Sequence, residues 1–249
     1  MSQTQDGLKG KVGVVTGASK GIGRAIAIAL AQAGASVVVN YLQDIAAANE
    51  TCAQITQLER LSLPLQCDVR IRADVEGLLQ QTLSSFGRVD VLVNNAGIRA
   101  RGDLWSINET DWDSIIATNL KGAFLCSQMF GEVLFSQRFG HIVNISSTAG
   151  IRPLGGSHHY VASKAGLIGL TKVLALTLAP YVTVNSIAPG LVKGSGNSQR
   201  TEKDQLISRI PMGRMASAHE IASFVVFLVT DGTYITGQTI AIDGGLTID

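Results

Sequence analysis

The chain has 249 residues, enough for one large domain or two small ones. Its hydrophobic content is 46% and its aromatic content 5%, so a core of aliphatic side chains is expected. The net charge of +1 offers no electrostatic basis for a nucleic-acid partner or an anionic membrane. The longest apolar run, near 221–229, is shorter than the ~20 residues of a membrane span. Three scattered cysteines and a polar N-terminus predict reduced thiols and a cytoplasmic protein.

Short Val-rich strands alternate with helical patterns along the whole chain. Strands are predicted at 11–17, 36–41, 61–68, 89–97, 140–146, 182–190 and 238–245. The intervening helices are predicted at 18–34, 45–60, 72–87, 111–137, 160–179 and 219–231. This pattern indicates an α/β fold, a doubly wound (Rossmann) seven-stranded parallel sheet with helices on both faces. We expect a single domain, 1–249, with a cofactor half at about 8–110 and a catalytic and substrate half at about 111–249. Ligands of such folds bind at the carboxyl ends of the strands.

The first strand is followed by a glycine motif, Gly17-x-x-x-Gly21-x-Gly23. Glycines let a backbone approach a phosphate, and the following helix offers free N–H groups and a partial positive charge. Because the motif lies between a strand and a helix, it predicts a dinucleotide site. The motif and the residues between its glycines are the predicted contacts: Gly17, Ser19, Lys20, Gly21, Ile22 and Gly23. The alternative is a glycine turn needed only for helix–sheet packing.

The end of the second strand indicates which dinucleotide is bound. NAD sites usually carry Asp or Glu about 20 residues past the glycines, where it holds a ribose hydroxyl. This chain has Asn40 and Tyr41 there, and Lys20 in the glycine loop could attract a 2′-phosphate. We therefore predict NADP(H) as the cofactor. Lys20 could instead be a solvated loop charge.

Other strand ends supply further predicted cofactor contacts. Asp68 could accept from the adenine amino group, or it could cap a turn. Asn95 is expected to be structural, with its backbone near a ribose. The nicotinamide is expected beside Pro189-Gly190. The full set at these strand ends is Asp68, Val69, Asn95, Ala96, Gly97, Pro189, Gly190 and Val192.

Acid–base chemistry is predicted for Tyr160, Lys164 and Ser147. Residues i and i+4 share a helix face, so the phenol of Tyr160 and the ammonium of Lys164 should meet. A cation beside a phenol lowers the phenol pKa from about 10. Ser147 directly follows the apolar run HIVNIS, residues 141–146, and could hydrogen-bond the substrate oxygen that Tyr160 protonates. A Y-x-x-x-K pair alone is common by chance, and Ser147 could merely cap a turn. Asn119, a poor helix former inside a helical run, suggests a specific bond or a kink.

Together these motifs resemble the short-chain dehydrogenase/reductase family: Thr16 to Gly23, Asn94 to Gly97, Ser147, Tyr160 to Lys164, and Pro189-Gly190. The resemblance implies a tetrad in which Ser147 polarises a carbonyl and Tyr160 protonates it as hydride arrives from the nicotinamide. It further implies that Lys164, besides lowering the tyrosine pKa, binds the ribose hydroxyls, and that Asn119 holds a water connecting Lys164 to solvent. Family likeness also implies a homotetramer, formed through helices 111–137 and 158–179 and the C-terminal strand.

Within the family the chain is most similar to 3-oxoacyl-[acyl-carrier-protein] reductases. TGASKGIGRAIA, VVVNY, IPMGRMASAHEIASFVVFL and YITGQTIAIDGG carry that similarity. It implies a carbonyl substrate presented on acyl carrier protein or coenzyme A. Those reductases hold the carrier with basic residues near the site mouth. Arg138 stands at one such place, and the second falls where this chain reads Ala179-Pro180-Tyr181. A threonine that usually bonds the carboxamide is replaced by Gly194, with Ser195 as a possible substitute.

Three functions follow: reduction of a 3-oxoacyl thioester, oxidoreduction of a small free ketone, alcohol or sugar, and a non-enzymatic dinucleotide-binding regulator. The complete tetrad argues against the third.

His158 and His159 suggest a metal, but no third ligand has recognisable spacing, so no metal site is predicted. Arg99 to Arg101, Asp103 and Trp105 follow the fourth strand, where substrate loops occur. Trp105 is more often a packing residue than a substrate platform.

Overall fold

The protein folds around one seven-stranded, fully parallel sheet. The computed structural model describes residues 7–100, 102–153, 157–194 and 207–248. The strand order is β3-β2-β1-β4-β5-β6-β7, so the chain first winds outward from the centre to one edge and then returns to build the other. This confirms the predicted doubly wound, single-domain fold.

The helices and strands alternate along the chain, close to where the sequence predicts them. The strands are β1 Val12–Val15, β2 Ser36–Tyr41, β3 Ser62–Gln66, β4 Val91–Asn94, β5 Gly140–Ile145, β6 Val182–Pro189 and β7 Thr239–Ile242. The helices are α1 Gly21–Gln32, α2 Ile45–Thr56, α3 Arg72–Phe86, α4 Glu109–Ile116, α5 Gly122–Ser136, α6 His158–Leu178 and α7 Ala218–Thr230. Ser217 and Glu220 form a reciprocal capping box that starts α7.

Alternate residues of the central strands face the two helical layers. Val15 and Val93 belong to the core beneath α1 and α7, whereas Val14 and Leu92 face the core beneath α3 and α5. Both faces of each central strand are therefore covered, which explains why these strands read as unbroken apolar runs. The burial on both sides fixes the register and aligns the carboxyl ends of the strands at one edge.

The predicted helix 111–137 is interrupted at its middle. Asn108 caps α4, because its side chain accepts from the backbone N–H of Asp111. After Ile116 the backbone widens into one π-helical turn, Ala117–Lys121, before α5 begins. Asn119 lies in that turn, so the predicted irregularity is present there.

Helix α6 is long and apolar enough, by length and composition alone, to span a membrane. It has 21 residues and a mean hydropathy of 1.5, and 28% of its apolar window is buried. The hydropathy of α6 comes from Leu, Ala and Val spread between polar residues, so its sequence contains no long unbroken apolar run. Core helices can have the same length and composition, and α6 packs along β6 and α5 with Ser163, Lys164 and Thr171 buried.

A buried polar cluster closes the amino ends of the strands, opposite the ligand edge. Asp90 is fully buried, accepts from the backbone N–H of Val12, and pairs with Lys11 and Arg88. His141, at 4% exposure, places Nδ1 2.8 Å from Thr183 Oγ1. Burial lowers the pKa of His141 to about 4, and Lys11 adds to this effect while Asp90 opposes it. His141 is thus held neutral inside the fold.

Candidate active site

A cleft of about 970 Å³ opens at the carboxyl ends of the strands. Every predicted site residue except Gly21 and Asn119 lines it. The parallel sheet explains this convergence, since loops after β1, β2, β3, β4, β5 and β6 all leave at the same edge. The predicted residues therefore lie around one continuous cavity.

The glycine loop is packed so closely that side chains would not fit. A Cβ on Gly23 would collide with the carbonyl oxygen of Gly17 and come 2.5 Å from Asn95 Nδ2. Gly17 and Gly21 have φ angles of 63° and 59°, in the left-handed region that favours glycine. This tight loop leads directly into the N-terminus of α1, which is the arrangement that binds a pyrophosphate.

Arg24 holds the glycine loop in place and was not singled out from the sequence. Its guanidinium donates to the Ser19 carbonyl at 2.9 and 2.6 Å, to the Ala47 carbonyl at 3.0 Å, and to Glu50. A cation in the first turn of a helix opposes the helix dipole, so its presence there signals a specific partner. That signal could have identified Arg24.

Asn95 has the structural role expected for it. Its side-chain amide donates to the carbonyls of Thr16 and Gly17 at 2.9 and 3.0 Å. Thr16 Oγ1 in turn accepts from the backbone N–H groups of Asn95 and Ala96. These bonds tie the loop after β4 to the glycine loop and form the floor of the cleft.

β2 itself ends without a carboxylate, and Asp44, three residues further on, lines the cleft while it caps α2. Asn40 is buried, and its side chain accepts from Gly17 N and donates to the carbonyls of Leu65 and Cys67. Its amide is therefore engaged within the protein. Tyr41, the last residue of β2, lines the cleft, as does the exposed Lys20.

Asp68 is paired within the cleft wall. Arg70 binds its carboxylate in a bidentate manner, with a shortest distance of 2.6 Å. Hydrogen bonds from Arg70 hold the pKa of Asp68 below its usual range despite partial burial. The expected bond to an adenine amino group would have to share this carboxylate with Arg70. Val69, the next residue, packs against Gly122 at the start of α5.

Tyr160, Lys164 and Ser147 line the same cleft. Lys164 Nζ lies 5.9 Å from the centroid of the Tyr160 ring, one turn earlier on α6. Ser147 follows β5 in an extended conformation, and its Oγ accepts from Ala149 N at 3.2 Å. The serine does cap a short turn, and it also lines the cleft beside Tyr160.

Lys164 is a buried cation at 4% exposure. Its ammonium donates to the Ile145 carbonyl at 2.8 Å, which anchors it to the end of β5. Burial lowers the pKa of Lys164 to about 8. The amine is therefore mostly protonated at neutral pH and loses its proton within about one pH unit above it. Such a pKa suits a group that takes part in proton transfer.

Asn119 braces the site from beneath. Its side chain accepts from Ile98 N at 2.8 Å and donates to the Ile98 carbonyl at 2.9 Å and to Ser163 Oγ at 3.1 Å. Ser163 in turn donates to the Tyr160 carbonyl. A Cβ on Gly97 would lie 3.2 Å from Asn119 Oδ1 and 3.5 Å from Lys164 Nζ, so Gly97 keeps this junction open.

The predicted nicotinamide end is built by β6 and β7. Gly190 donates to the Ile242 carbonyl, and a Cβ on Gly190 would come 2.9 Å from Asp243 Cα. Val192 is buried and forms an isolated bridge with Ala216. Gly194 has a φ of +78°, and Ser195 with most of the predicted 193–200 loop lies outside the described residues.

Arg99 stands at the mouth of the cleft. Its guanidinium carbon lies 5.5 Å from the centroid of the Tyr160 ring, and the residue is exposed.

The two histidines before Tyr160 differ in exposure: His158 is exposed, whereas His159 is buried. Within the described ranges, no group of three or more His, Cys, Asp or Glu side chains is placed to hold a metal ion.

Arg138 is not at the mouth of this chain's cleft, contrary to the sequence expectation. It precedes β5, whereas Ser147 follows it, and the six residues of β5 span roughly 20 Å. Its guanidinium lies 5.4 Å from the Tyr181 ring centroid, and Tyr181 contacts Phe135 edge to face. The direction of the strand places this pair at the amino ends of the sheet.

A tyrosine, a buried lysine and a serine beside a glycine-rich loop define an oxidoreductase acting on carbonyl or hydroxyl groups. The sequence model of a family described as enoyl-(acyl carrier protein) reductase matches residues 17–247. The chain belongs to the short-chain dehydrogenase/reductase family.

The relatives it resembles are full-length matches. It is 41% identical over 244 residues to a 3-oxoacyl-[acyl-carrier-protein] reductase from Synechocystis, covering 97% of this chain and 98% of that one. It is 42% identical to the reductase FabG from Staphylococcus epidermidis, with 95% and 98% coverage. A solved structure assigned as a short-chain alcohol dehydrogenase from Sinorhizobium meliloti matches with a TM-score of 0.94 and 36% identity, over 99% of both chains.

Proposed function

We propose that this protein is an NADP(H)-dependent reductase of a 3-oxoacyl thioester carried on acyl carrier protein or coenzyme A. The observation that carries the proposal is the convergence of Ser147, Tyr160 and Lys164 in one cleft. The relatives named as 3-oxoacyl reductases support the substrate. A serine beside the tyrosine suits a carbonyl oxygen, which accepts hydrogen bonds, better than a carbon–carbon double bond.

The residues act on the carbonyl oxygen in sequence. Ser147 donates a hydrogen bond that polarises the carbonyl, and Tyr160 gives the oxygen its proton. A bound nicotinamide supplies the hydride that the carbonyl carbon receives. Lys164, fixed by Ile145, places its ammonium where it stabilises the phenolate left on Tyr160 and where it can reach a ribose hydroxyl. Asn119 belongs to the tetrad as the residue that orients α6, and it is proposed to hold the water that connects Lys164 to solvent.

The residues of the cleft fit a phosphorylated dinucleotide. The loop of Gly17, Gly21 and Gly23 leaves room for a pyrophosphate that a Cβ would fill. Tyr41 stands where NAD sites carry a carboxylate, and the exposed Lys20 lines the same cleft. The cofactor half of the chain, about 8–110, would hold the adenosine, with Asp68, Val69, Asn95, Ala96 and Gly97 along the wall. Pro189, Gly190 and Val192 of the second half, about 111–249, would hold the nicotinamide.

A small free ketone, secondary alcohol or sugar is the second candidate substrate. The placement of Arg138 favours it, because this cation lies at the amino ends of the strands and contacts Tyr181. A carrier protein held there could reach the cleft only from another subunit or along an extended prosthetic arm. The position of Arg138 therefore supports a small free substrate better than one held on a carrier protein.

A cytoplasmic homotetramer is proposed for the assembly. The exposed apolar side chains Phe124, Val173 and Leu176 on α5 and α6 support packing against other subunits. Cys52, Cys67 and Cys126 are all free thiols, which supports a reducing compartment.

Steady-state kinetics with both cofactors tests the proposed function. The purified protein should reduce acetoacetyl-CoA with NADPH, and kcat/KM should be at least tenfold lower with NADH. A matched panel of small ketones and sugars ranks the second candidate against the first. A clear preference for NADH would refute the cofactor proposal, and inactivity toward every carbonyl would refute the enzyme proposal.

A further inference from the structure

The mouth of the cleft carries an arginine that the proposed chemistry does not use. Arg99 follows the loop after β4, and its guanidinium carbon lies 5.5 Å from the Tyr160 ring centroid. No carboxylate among the described residues forms an ion pair with it. An exposed guanidinium with an aromatic ring on one side keeps its N–H edge available for a planar anion.

Charges are distributed unevenly along the cleft. The two carboxylates in its described lining, Asp44 and Asp68, lie on the β2 and β3 side. Asp44 caps α2, and Asp68 is paired with Arg70. Beside Tyr160 the lining has the cations Arg99 and Lys164 and no carboxylate in the described part of the chain. The substrate end of the cleft is therefore positive.

The remaining lining at this end is small or apolar. Ile98, Leu191 and Met215 are apolar members of the lining that also holds Ser147 and Arg99. A ligand that fills it needs a short carbon frame, a carbonyl or hydroxyl group at Tyr160, and an anionic group at Arg99. A 3-oxoacyl thioester lacks such a charge close to its reacting carbon.

We propose that Arg99 is a specificity-determining residue that binds the carboxylate of a short oxo acid or hydroxy acid. The carboxylate would lie a few carbon atoms from the reacting carbon, within reach of the N–H groups of Arg99. The proposal rests on the proposed carbonyl chemistry at Tyr160. It narrows the second candidate, the small free substrate, to an acid and stands as an alternative to the 3-oxoacyl thioester. The reaction balance is that of carbonyl reduction: the carbonyl carbon gains hydride from NADPH, which becomes NADP⁺, and the oxygen gains the proton of Tyr160.

Matched substrate pairs test the assignment. Acetoacetate is compared with methyl acetoacetate, levulinate with methyl levulinate, and 5-oxogluconate with fructose, each with saturating NADPH. In the wild-type protein, kcat/KM should favour the charged member of at least one pair. Arg99→Gln should reduce the ratio of charged to neutral kcat/KM about 10- to 100-fold, through KM, because a charge-assisted bond is lost. Arg99→Lys should recover part of the ratio. The control Arg72→Gln removes an exposed arginine outside the cleft and should leave the ratio at its wild-type value.

Equilibrium binding provides a second readout. Calorimetry on Tyr160→Phe with NADPH measures the affinity for the acids without turnover, and adding Arg99→Gln should weaken it by the same factor. The assignment would be overturned if Arg99→Gln left the kcat/KM values of charged and neutral substrates unchanged. It would also be overturned if the variant lowered both kcat/KM values equally, which would mean that Arg99 positions Tyr160. If no carbonyl is reduced with either cofactor, the proposed function fails, and loss of acid affinity in the Arg99 variant would still uphold the anion site.

Discussion

The buried histidine at the amino ends of the strands makes the folding stability depend on pH in a calculable way. His141 has a pKa of about 4 in the folded protein against 6.5 for the free side chain. Between these values the unfolded chain binds the additional proton, so stability is present in full above pH 6.5 and falls as the pH drops toward 4. Linkage gives a loss of about 2 kcal/mol from this residue between pH 7 and pH 5, and about 3 kcal/mol over the whole interval.

Urea unfolding at several pH values, at fixed protomer concentration, measures this term. Glutamine does not titrate, so His141→Gln lacks this loss. The unfolding free energy of the wild type minus that of the variant should fall by about 2 kcal/mol from pH 7 to pH 5. Acidic groups distant from His141 contribute equally to both proteins and cancel. The same substitution at the exposed His219, His219→Gln, supplies the surface control. If the unfolding free energies of wild type and His141→Gln changed equally with pH, burial would not be what keeps this imidazole neutral.

Further predictions concern the cleft. Tyr41→Asp should shift the ratio of kcat/KM for NADPH over NADH toward NADH by at least about tenfold, since a carboxylate repels a 2′-phosphate; an unchanged ratio would place the phosphate elsewhere. Gly23→Ala should abolish NADPH binding measured by fluorescence, because its Cβ meets the Gly17 carbonyl, while Gly77→Ala, with open space around it, should bind normally. Because burial lowers the pKa of Lys164 to about 8, the ammonium is lost above that pH, and kcat/KM for reduction should fall as pH rises through about 8; a flat profile to pH 10 would contradict this.

The positions of the site residues could be predicted because parallel strands have a fixed direction. Once β1, β4 and β5 are recognised, Gly17, Asn95 and Ser147 must follow their carboxyl ends at one edge. The spacing of Tyr160 and Lys164 on one helix then brings the phenol and ammonium together. The same reasoning shows why Arg138, which precedes β5, belongs to the opposite edge.

The roles of individual polar side chains could not be read from their positions. Asn40 stands at a strand end that faces the cleft, and its amide nonetheless bonds to Gly17, Leu65 and Cys67. The partners of Asn119 come from Ile98 and α6, distant in sequence, so only its irregular setting was predictable. Contacts across the fold decide whether an amide meets a ligand or the protein itself.

Replacing the phenol of Tyr160 with a phenyl ring tests the central claim most directly. Tyr160→Phe keeps the ring and removes the proton, so the variant should still bind NADPH and should reduce the best carbonyl substrate at least about a hundredfold more slowly than wild type. Single-turnover measurement with bound NADPH separates this step from binding. A variant that reduces the carbonyl at the wild-type rate would contradict the account, because the proton would then come from another group.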